Sequence, residues 1–511
     1  MNARAVKRAG LAAGPALAAV VYLLLPGTYA GMDGAAVALP DAGRATLAVM
    51  AWMATWWLTE AVDVSATALL PIAVFPLLGI LPISATTAPY ASDLIFLFLG
   101  GFVLALSMQR WGLDRRIALL TLKVVGSKPA NVIGGFMVVT AALSMWVSNT
   151  ATAAMMLPIG LSVIALVLEE EAGHSLETDG LPEHGVPGRN FALSLMLGIA
   201  YAASIGGIAT LIGSPPNGIV AQFLAQEYQR DIGFADWLLI GGPVALVFLP
   251  LAWVLITWVL YPIRIREVAG GQALFAREAA RLGPMHRGEW ATLIVFLSTA
   301  TLWICRPMLA GLEMDGWRPL AGLSDAGIAV LAALVLFVIP APPARGSDSP
   351  TFVMTWDTAV KLPWGILILF GGGLSLAAAV QANGVAEFIG AQATVLADYP
   401  VIVLVVAVTT GVIFLTELTS NTATTATLVP VLAGVASGLA VAPEMLVIPA
   451  AVAASCAFMM PVATPPNAIV FGSGYVTIPQ MAKAGIWLNL IGVVVITSVL
   501  YAVVLPALAI G

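Results

Sequence analysis

Two short polar clusters set in apolar surroundings carry the most telling chemistry of this chain. Ser148-Asn149-Thr150 interrupts an apolar run from Val132 to Leu168, and Ser420-Asn421-Thr422 interrupts a second run from Val401 to Leu439. Ser, Asn and Thr accept hydrogen bonds from the unpaired N–H groups at helix starts. A cap inside an apolar run therefore predicts a helix that stops and restarts there, leaving a positive dipole end and free donors for an anion. Two further motifs, Pro215-Pro216-Asn217 and Pro465-Pro466-Asn467, supply the opposite chemistry. Proline removes an N–H donor and forbids a continuous helix, so neighbouring carbonyl oxygens are freed. Free carbonyls suit a cation such as Na+, and each Asn side chain is able to hold the broken backbone in place. One site that takes an anion and a cation together is the expectation, built from broken helices near the middle of a membrane.

These motifs belong to an internal repeat. The segment SNTAT at Ser148 to Thr152 recurs at Ser420 to Thr424, an offset of 272. The same offset carries Phe98, Gly100, Gly101, Gln109, Gly112 and Pro158 onto Phe370, Gly372, Gly373, Gln381, Gly384 and Pro430. GSPPNGIV from Gly213 and ATPPNAIV from Ala463 match at an offset of 250, so the first half holds 22 more residues between its motifs. The polar stretch 169–190 is the right size to be that insertion. A lone SNT is more simply read as polar glue between helices. Two copies, each followed by a Pro-Pro-Asn break, outweigh that reading. For the paired glycines, close helix packing is the simpler account, and they are left out of the site.

The elements that must position these residues are membrane helices. Of the 511 residues 60% are hydrophobic and 9% charged, outside the soluble range. Apolar stretches of crossing length recur along the chain, and at about 20 residues per crossing they predict roughly ten to twelve spans. Abundant Gly and Pro predict that some spans are broken. Lys7 and Arg8 precede the first apolar run, which is read as an uncleaved span. The Arg-rich segment 263–289 is expected on the cytoplasmic side. The net charge of −6 says little, since the charges fall mainly in connections.

Other chemistry is sparse. Cys305 and Cys456 stand alone in apolar surroundings and read as packing residues. His174, His184 and His286 fall in polar segments, with no zinc motif on a helix and no nucleophile motif in a span, which argues against a membrane-embedded enzyme. A continuous pore suits repeated broken helices less well than a closed two-sided site. Intramembrane carboxylates suggest function by default. Glu60 and Asp63 are read as structural or interfacial. Glu417, whose repeat counterpart is Met145, is open between structural pairing and a role in coupling.

At the SNT and Pro-Pro-Asn motifs the sequence resembles the divalent-anion/sodium symporter (DASS) family, also called INDY-type transporters, over most of its length. The resemblance implies an all-α integral membrane protein of about 11 transmembrane helices plus two re-entrant hairpins in two inverted repeats. It also implies a homodimer in the bacterial inner (plasma) membrane, with a moving transport domain and an elevator mechanism. Carried over residue by residue, Ser148, Asn149, Thr150, Ser420, Asn421 and Thr422 would hold substrate carboxylates, with Ser214, Pro215, Thr464 and Pro465 beside them. Ser144, Ser148, Asn149 and Gly213 would line one Na+ site, and Thr416, Thr419, Asn421 and Ala463 a second. Where exchangers of this family replace Na+ with a basic residue, no Lys or Arg stands beside either motif here, which favours Na+ coupling.

The expected organisation is an N-terminal span (1–43), a first repeat with its hairpin at 148–150 (44–262), a cytoplasmic linker (263–289) and a second repeat with its hairpin at 420–422 (290–511). Scaffold and transport domains are interleaved. The expected activity is Na+-coupled import of divalent anions, foremost four-carbon dicarboxylates such as succinate, malate and fumarate. Sulfate or citrate transport, anion exchange and arsenite-type efflux are the alternatives. Na+ is the expected coupling ion, with no organic cofactor and no nucleic-acid partner.

Overall fold

A computed structural model describes residues 3–32, 34–175, 187–265, 267–268, 270–314, 317–341 and 351–501. The fold is all-α, as expected. Strands among the described residues are confined to two small antiparallel hairpins, Thr28–Ala30 with Ala36–Ala38 and Pro340–Ala341 with Thr351–Phe352. Among the described residues eight helices are long and apolar enough to cross a membrane. A ninth crossing arises if Val385–Leu396 and Val401–Thr416, bent by 113° at their junction, form one span. Among the shorter apolar helices, Pro129–Ser144 stops just before the first SNT motif, whereas Glu444–Ala454 stops ten residues before Thr464.

Four helices in each half carry the motifs. In the first half these are α1 (Pro129–Ser144), α2 (Asn149–Ser175), α3 (Pro187–Ile208) and α4 (Pro215–Tyr228). In the second they are α5 (Val401–Thr416), α6 (Asn421–Gly438), α7 (Glu444–Ala454) and α8 (Pro465–Phe471). Each SNT motif opens a helix, and each Pro pair occupies a helix's first two positions, where a missing N–H is harmless. Of the expected insertion at 169–190, residues 176–186 lie outside the described residues. The flanking parts continue α2 to Ser175 and begin α3 at Pro187.

The halves are interlocked. Helix α4 packs on α6 and α7 of the other half, and α8 packs on α2 and α3. Repeat partners also share conformation. Gly112 and Gly384 both adopt φ 69° at a helix junction, a left-handed geometry that favours glycine. Phe98 and Phe370 meet edge to face with ring centroids 4.8 Å apart. A residue that touches its own repeat partner marks the place where the two halves face each other. The paired glycines serve helix packing: a Cβ on Gly100 would lie 2.5 Å from the Ala329 backbone, and one on Gly372 2.4 Å from Ala68 O.

The Arg-rich linker folds partly into the helix Gly271–Arg281. Its Glu278 accepts from Arg115 at 3.2 Å, and Glu289 accepts from Arg116 at 2.8 Å, tying the linker to the helix Leu113–Leu122.

Candidate functional site

Helix α1 ends at Ser144 and α2 starts at Asn149, so the intervening residues form the break that the polar cluster predicts. Ser148 Oγ accepts from Ala151 N at 3.3 Å and so caps the new helix. The Ser144 hydroxyl lies 2.5 Å from Asn149 Oδ1 and 2.7 Å from Ala203 O. One hydroxyl proton thus faces two acceptors. The second half repeats the arrangement: Thr416 Oγ1 is 2.7 Å from Asn421 Oδ1 and 3.0 Å from Ala454 O. Each cluster has more lone pairs than protons, an imbalance that a small hard cation corrects.

The Pro-Pro-Asn motifs close the other side of each lobe. Asn217 Nδ2 donates to Gly207 O at 3.0 Å and Thr210 O at 2.8 Å. Asn467 Nδ2 donates to Ala457 O and Met460 O, both at 3.0 Å. These pairs match at the offset of 250, and both Asn side chains are fully buried. They hold the loops carrying Gly213 and Ala463, as their donor capacity suggested. Ser214 Oγ and Ser455 Oγ, 2.8 Å apart, join the two lobes. Thr464 Oγ1 accepts from Asn467 N at 3.4 Å, capping α8.

Both lobes open onto one cavity of about 920 Å³. Its lining includes Ser148, Asn149, Thr150, Ser214 and Pro215 from the first half and Ser420, Asn421, Thr422, Thr464 and Pro465 from the second. Gly213, Thr419 and Ala463 line it as well, whereas Ser144 and Thr416 are buried one layer behind. The Thr419 hydroxyl is also engaged within its own lobe, 2.6 Å from Thr424 Oγ1 and 2.9 Å from Leu415 O.

Three features go beyond the sequence reading. Lys7 and Glu60 line the same cavity and pair at 3.2 Å, so a basic side chain does reach the site, although none neighbours the motifs in sequence. They are the charged side chains of the lining, and together they leave it neutral. Glu60 caps the helix Asp41–Thr59 with φ 45°. Glu417 forms a clasp: its carboxylate accepts from Phe458 N at 2.7 Å, Met459 N at 3.0 Å, Met460 N at 3.2 Å and Asn489 Nδ2 at 2.8 Å. Helix α7 stops at Ala454, whereas α3 runs on to Ile208, so residues 455–464 form a coil whose N–H groups need a partner. Glu417 supplies it. At the equivalent point of the first half Thr210 Oγ1 donates to Met145 O. The one sequence signal was that Glu417 breaks the repeat. Third, Ser455 gave no signal at all, being one Ser in a small-residue run.

Ser420, unlike Ser148, makes no side-chain cap bond, so the expected cap is present at the first tip alone. Paired broken helices, each followed by a pinned loop, converging on one cavity inside an all-α membrane fold define a multi-pass membrane transporter. The chain belongs to the sodium:sulfate symporter family: the family description "Sodium:sulfate symporter transmembrane region" matches residues 18–507. It is 41% identical over 472 residues to the "Sodium-dependent dicarboxylate transporter SdcS" of Staphylococcus saprophyticus, covering 92% of this chain and 88% of that one. The protein of the same name from Staphylococcus aureus is 40% identical over 465 residues, covering 91% and 86%. Among solved structures, the Alcanivorax borkumensis YdaH transporter aligns over 98% of both chains with a TM-score of 0.58 at 13% identity. Neisseria gonorrhoeae MtrF aligns over 98% of this chain and 96% of its own, also with a TM-score of 0.58, at 12% identity. These two likenesses concern the fold alone. The family resemblance drawn from the motifs is borne out, and with it a multi-pass plasma-membrane transporter rather than an enzyme.

Proposed function

We propose that this protein imports four-carbon dicarboxylates by Na+ symport. The observation that carries this reading is the neutrality of the cavity. Lys7 and Glu60 offset each other, so a dianion finds no net protein charge to balance it. Capping hydroxyls, amides and the starts of α2, α4 and α6 supply partial positive charge. The remaining balance comes from Na+ at the two oxygen-rich clusters, with Ser144, Ser148, Asn149 and Gly213 around one ion and Thr416, Thr419, Asn421 and Ala463 around the other. Substrate carboxylates then meet Ser148-Asn149-Thr150 at one end and Ser420-Asn421-Thr422 at the other, with Ser214, Pro215, Thr464 and Pro465 at the sides. The dicarboxylate relatives at 40–41% identity support this choice of substrate.

Ordering of both lobes by Na+ raises affinity for the anion, and by linkage the anion raises affinity for Na+ by the same factor. Transport proceeds by an elevator movement of the lobes against the remaining helices, in a homodimer. Sulfate is the second reading, favoured by the name of the family. The test is uptake of labelled succinate into proteoliposomes under an imposed Na+ gradient, with sulfate and citrate as competitors. Uptake that ignores replacement of Na+ by choline, yet is accelerated by internal dicarboxylate, would replace symport by exchange.

A further inference from the structure

The two oxygen clusters are enclosed by different means. In the first lobe a Cβ on Gly207 would stand 2.6 Å from Asn149 Oδ1 and 3.0 Å from Gly213 O. A Cβ on Gly213 would stand 2.7 Å from Gly207 O. Bare Cα atoms at both positions let the loop after α3 fold back so that the Asn149 amide oxygen and the Gly213 carbonyl both lie against Gly207. At the offset of 250 the second lobe has Ala457 and Ala463 instead. Both alanines are buried, so the second loop accommodates two methyl groups that the first has no room for. Ala457 lies beyond the end of α7, on the coil that the Glu417 clasp holds.

We propose that Gly207 is a positioning residue that sets the size of the first cation site, making it the tighter and more selective of two unequal sites. This rests on the reading of the two clusters as Na+ sites. Selectivity among spherical cations follows from cavity size and from how far the ligands can relax. With the bare Cα of Gly207 packed against both the Asn149 amide and the Gly213 carbonyl, an ion larger than Na+ must part Asn149 from Gly213. The second loop, spaced by two methyl groups, lacks that close glycine contact around its oxygens.

The test uses the purified full-length protein, measuring cation-dependent thermal stabilisation together with labelled succinate uptake in proteoliposomes. A bound cation at free concentration c stabilises by RT ln(1 + c/Kd), so tighter binding gives the same stabilisation at lower concentration. Gly207→Ala is expected to raise half-saturating Na+ at least tenfold and to lower the Hill slope toward one, since one of two sites is lost. A folded Gly207→Ala protein whose Na+ dependence stays within twofold of wild type, with an unchanged slope, overturns the proposal.

If Gly207→Ala does not fold, two other variants decide. Thr416→Ala leaves the first site intact, and Ser144→Ala leaves the second. The ratio of K+ to Na+ concentration giving equal stabilisation should be at least threefold larger in Thr416→Ala. Equal ratios, or the reverse order, overturn the proposal. Wild-type protein that responds to no alkali cation overturns the sodium reading itself, a result distinct from either of these.

Discussion

Replacing Glu417 by Gln tests whether the carboxylate clasp supports the proposed second Na+ site. Glu417 Oε1 accepts from Phe458 N at 2.7 Å and Asn489 Nδ2 at 2.8 Å, while Oε2 accepts from Met459 N at 3.0 Å and Met460 N at 3.2 Å. A glutamine keeps one acceptor oxygen and turns an NH2 group toward N–H donors, so about two charge-assisted bonds are lost at roughly 1.5–3 kcal/mol each. Relief from burying a charge offsets part of that. The coil of residues 455–464 is then destabilised by about 2–3 kcal/mol, which corresponds to roughly 30- to 140-fold in an equilibrium constant. Because this coil carries Ala454 O at one end and leads into Ala463 at the other, the loss falls on Na+ binding at the Thr416 cluster. Half-saturating Na+ for succinate uptake is expected to rise by one to two orders of magnitude, with partial recovery of the maximal rate at high Na+. Asn489→Ala removes one donor to the same carboxylate and should give a smaller shift in the same direction. The assay is initial uptake rate against Na+ concentration, alongside thermal stability in detergent. Wild-type Na+ dependence in a folded Glu417→Gln protein would refute the clasp's connection to the cation site.

Four further outcomes are expected. Asn149→Ala or Asn421→Ala should nearly abolish uptake while the protein stays folded, because each removes an amide that pairs with a buried hydroxyl where water is no substitute; wild-type uptake in both would sink the site. Ser144→Ala and Thr416→Ala should each raise half-saturating Na+ with a smaller effect on rate at saturating Na+, read from the same activation curves. Val147 and Met108 share one apolar cluster, so a Met108→Cys/Val147→Cys pair, made after replacing Cys305 and Cys456, should stop transport when crosslinked if the lobes move; full transport after complete crosslinking argues against the elevator. Lys7→Gln leaves Glu60 unpaired in the cavity and should raise the KM for dicarboxylate a few-fold, more at low salt. Glu60→Gln should lower it.

The motifs were legible because each sets a polar or helix-breaking residue where an apolar helix would otherwise continue. Ser148, Asn149, Pro215 and their repeat partners stand out against their own neighbours, and the two offsets of 272 and 250 order them without any structure. The helical membrane spans were legible from recurring apolar stretches of crossing length. Lys7 was not legible, since it lies more than a hundred residues from either motif and reaches the cavity only through tertiary packing. The role of Glu417 was half legible: its departure from Met145 could be seen, but its three backbone donors exist only because α7 ends at Ala454, where no Gly or Pro announces a stop. The number of spans was not legible, because helices such as α1 and α5 end at mid-sequence polar breaks and hydropathy does not distinguish a short broken helix from a full crossing.

The exchange of packing partners between halves bears on how the protein is made. Helix α4 is complete in the nascent chain at Tyr228, yet the surface it rests on, α6 and α7, begins to appear only at Asn421. At about 5–20 residues per second, synthesis separates the two by roughly 10–40 seconds. Through that interval the polar tip at Ser148 and the broken backbone at Pro215 lack the partners that cover them in the finished fold. The first half must be sheltered, by the insertion machinery or by its own transient contacts, until the second arrives. A chain truncated before Asn421 would contain one full set of motifs and still assemble no cavity.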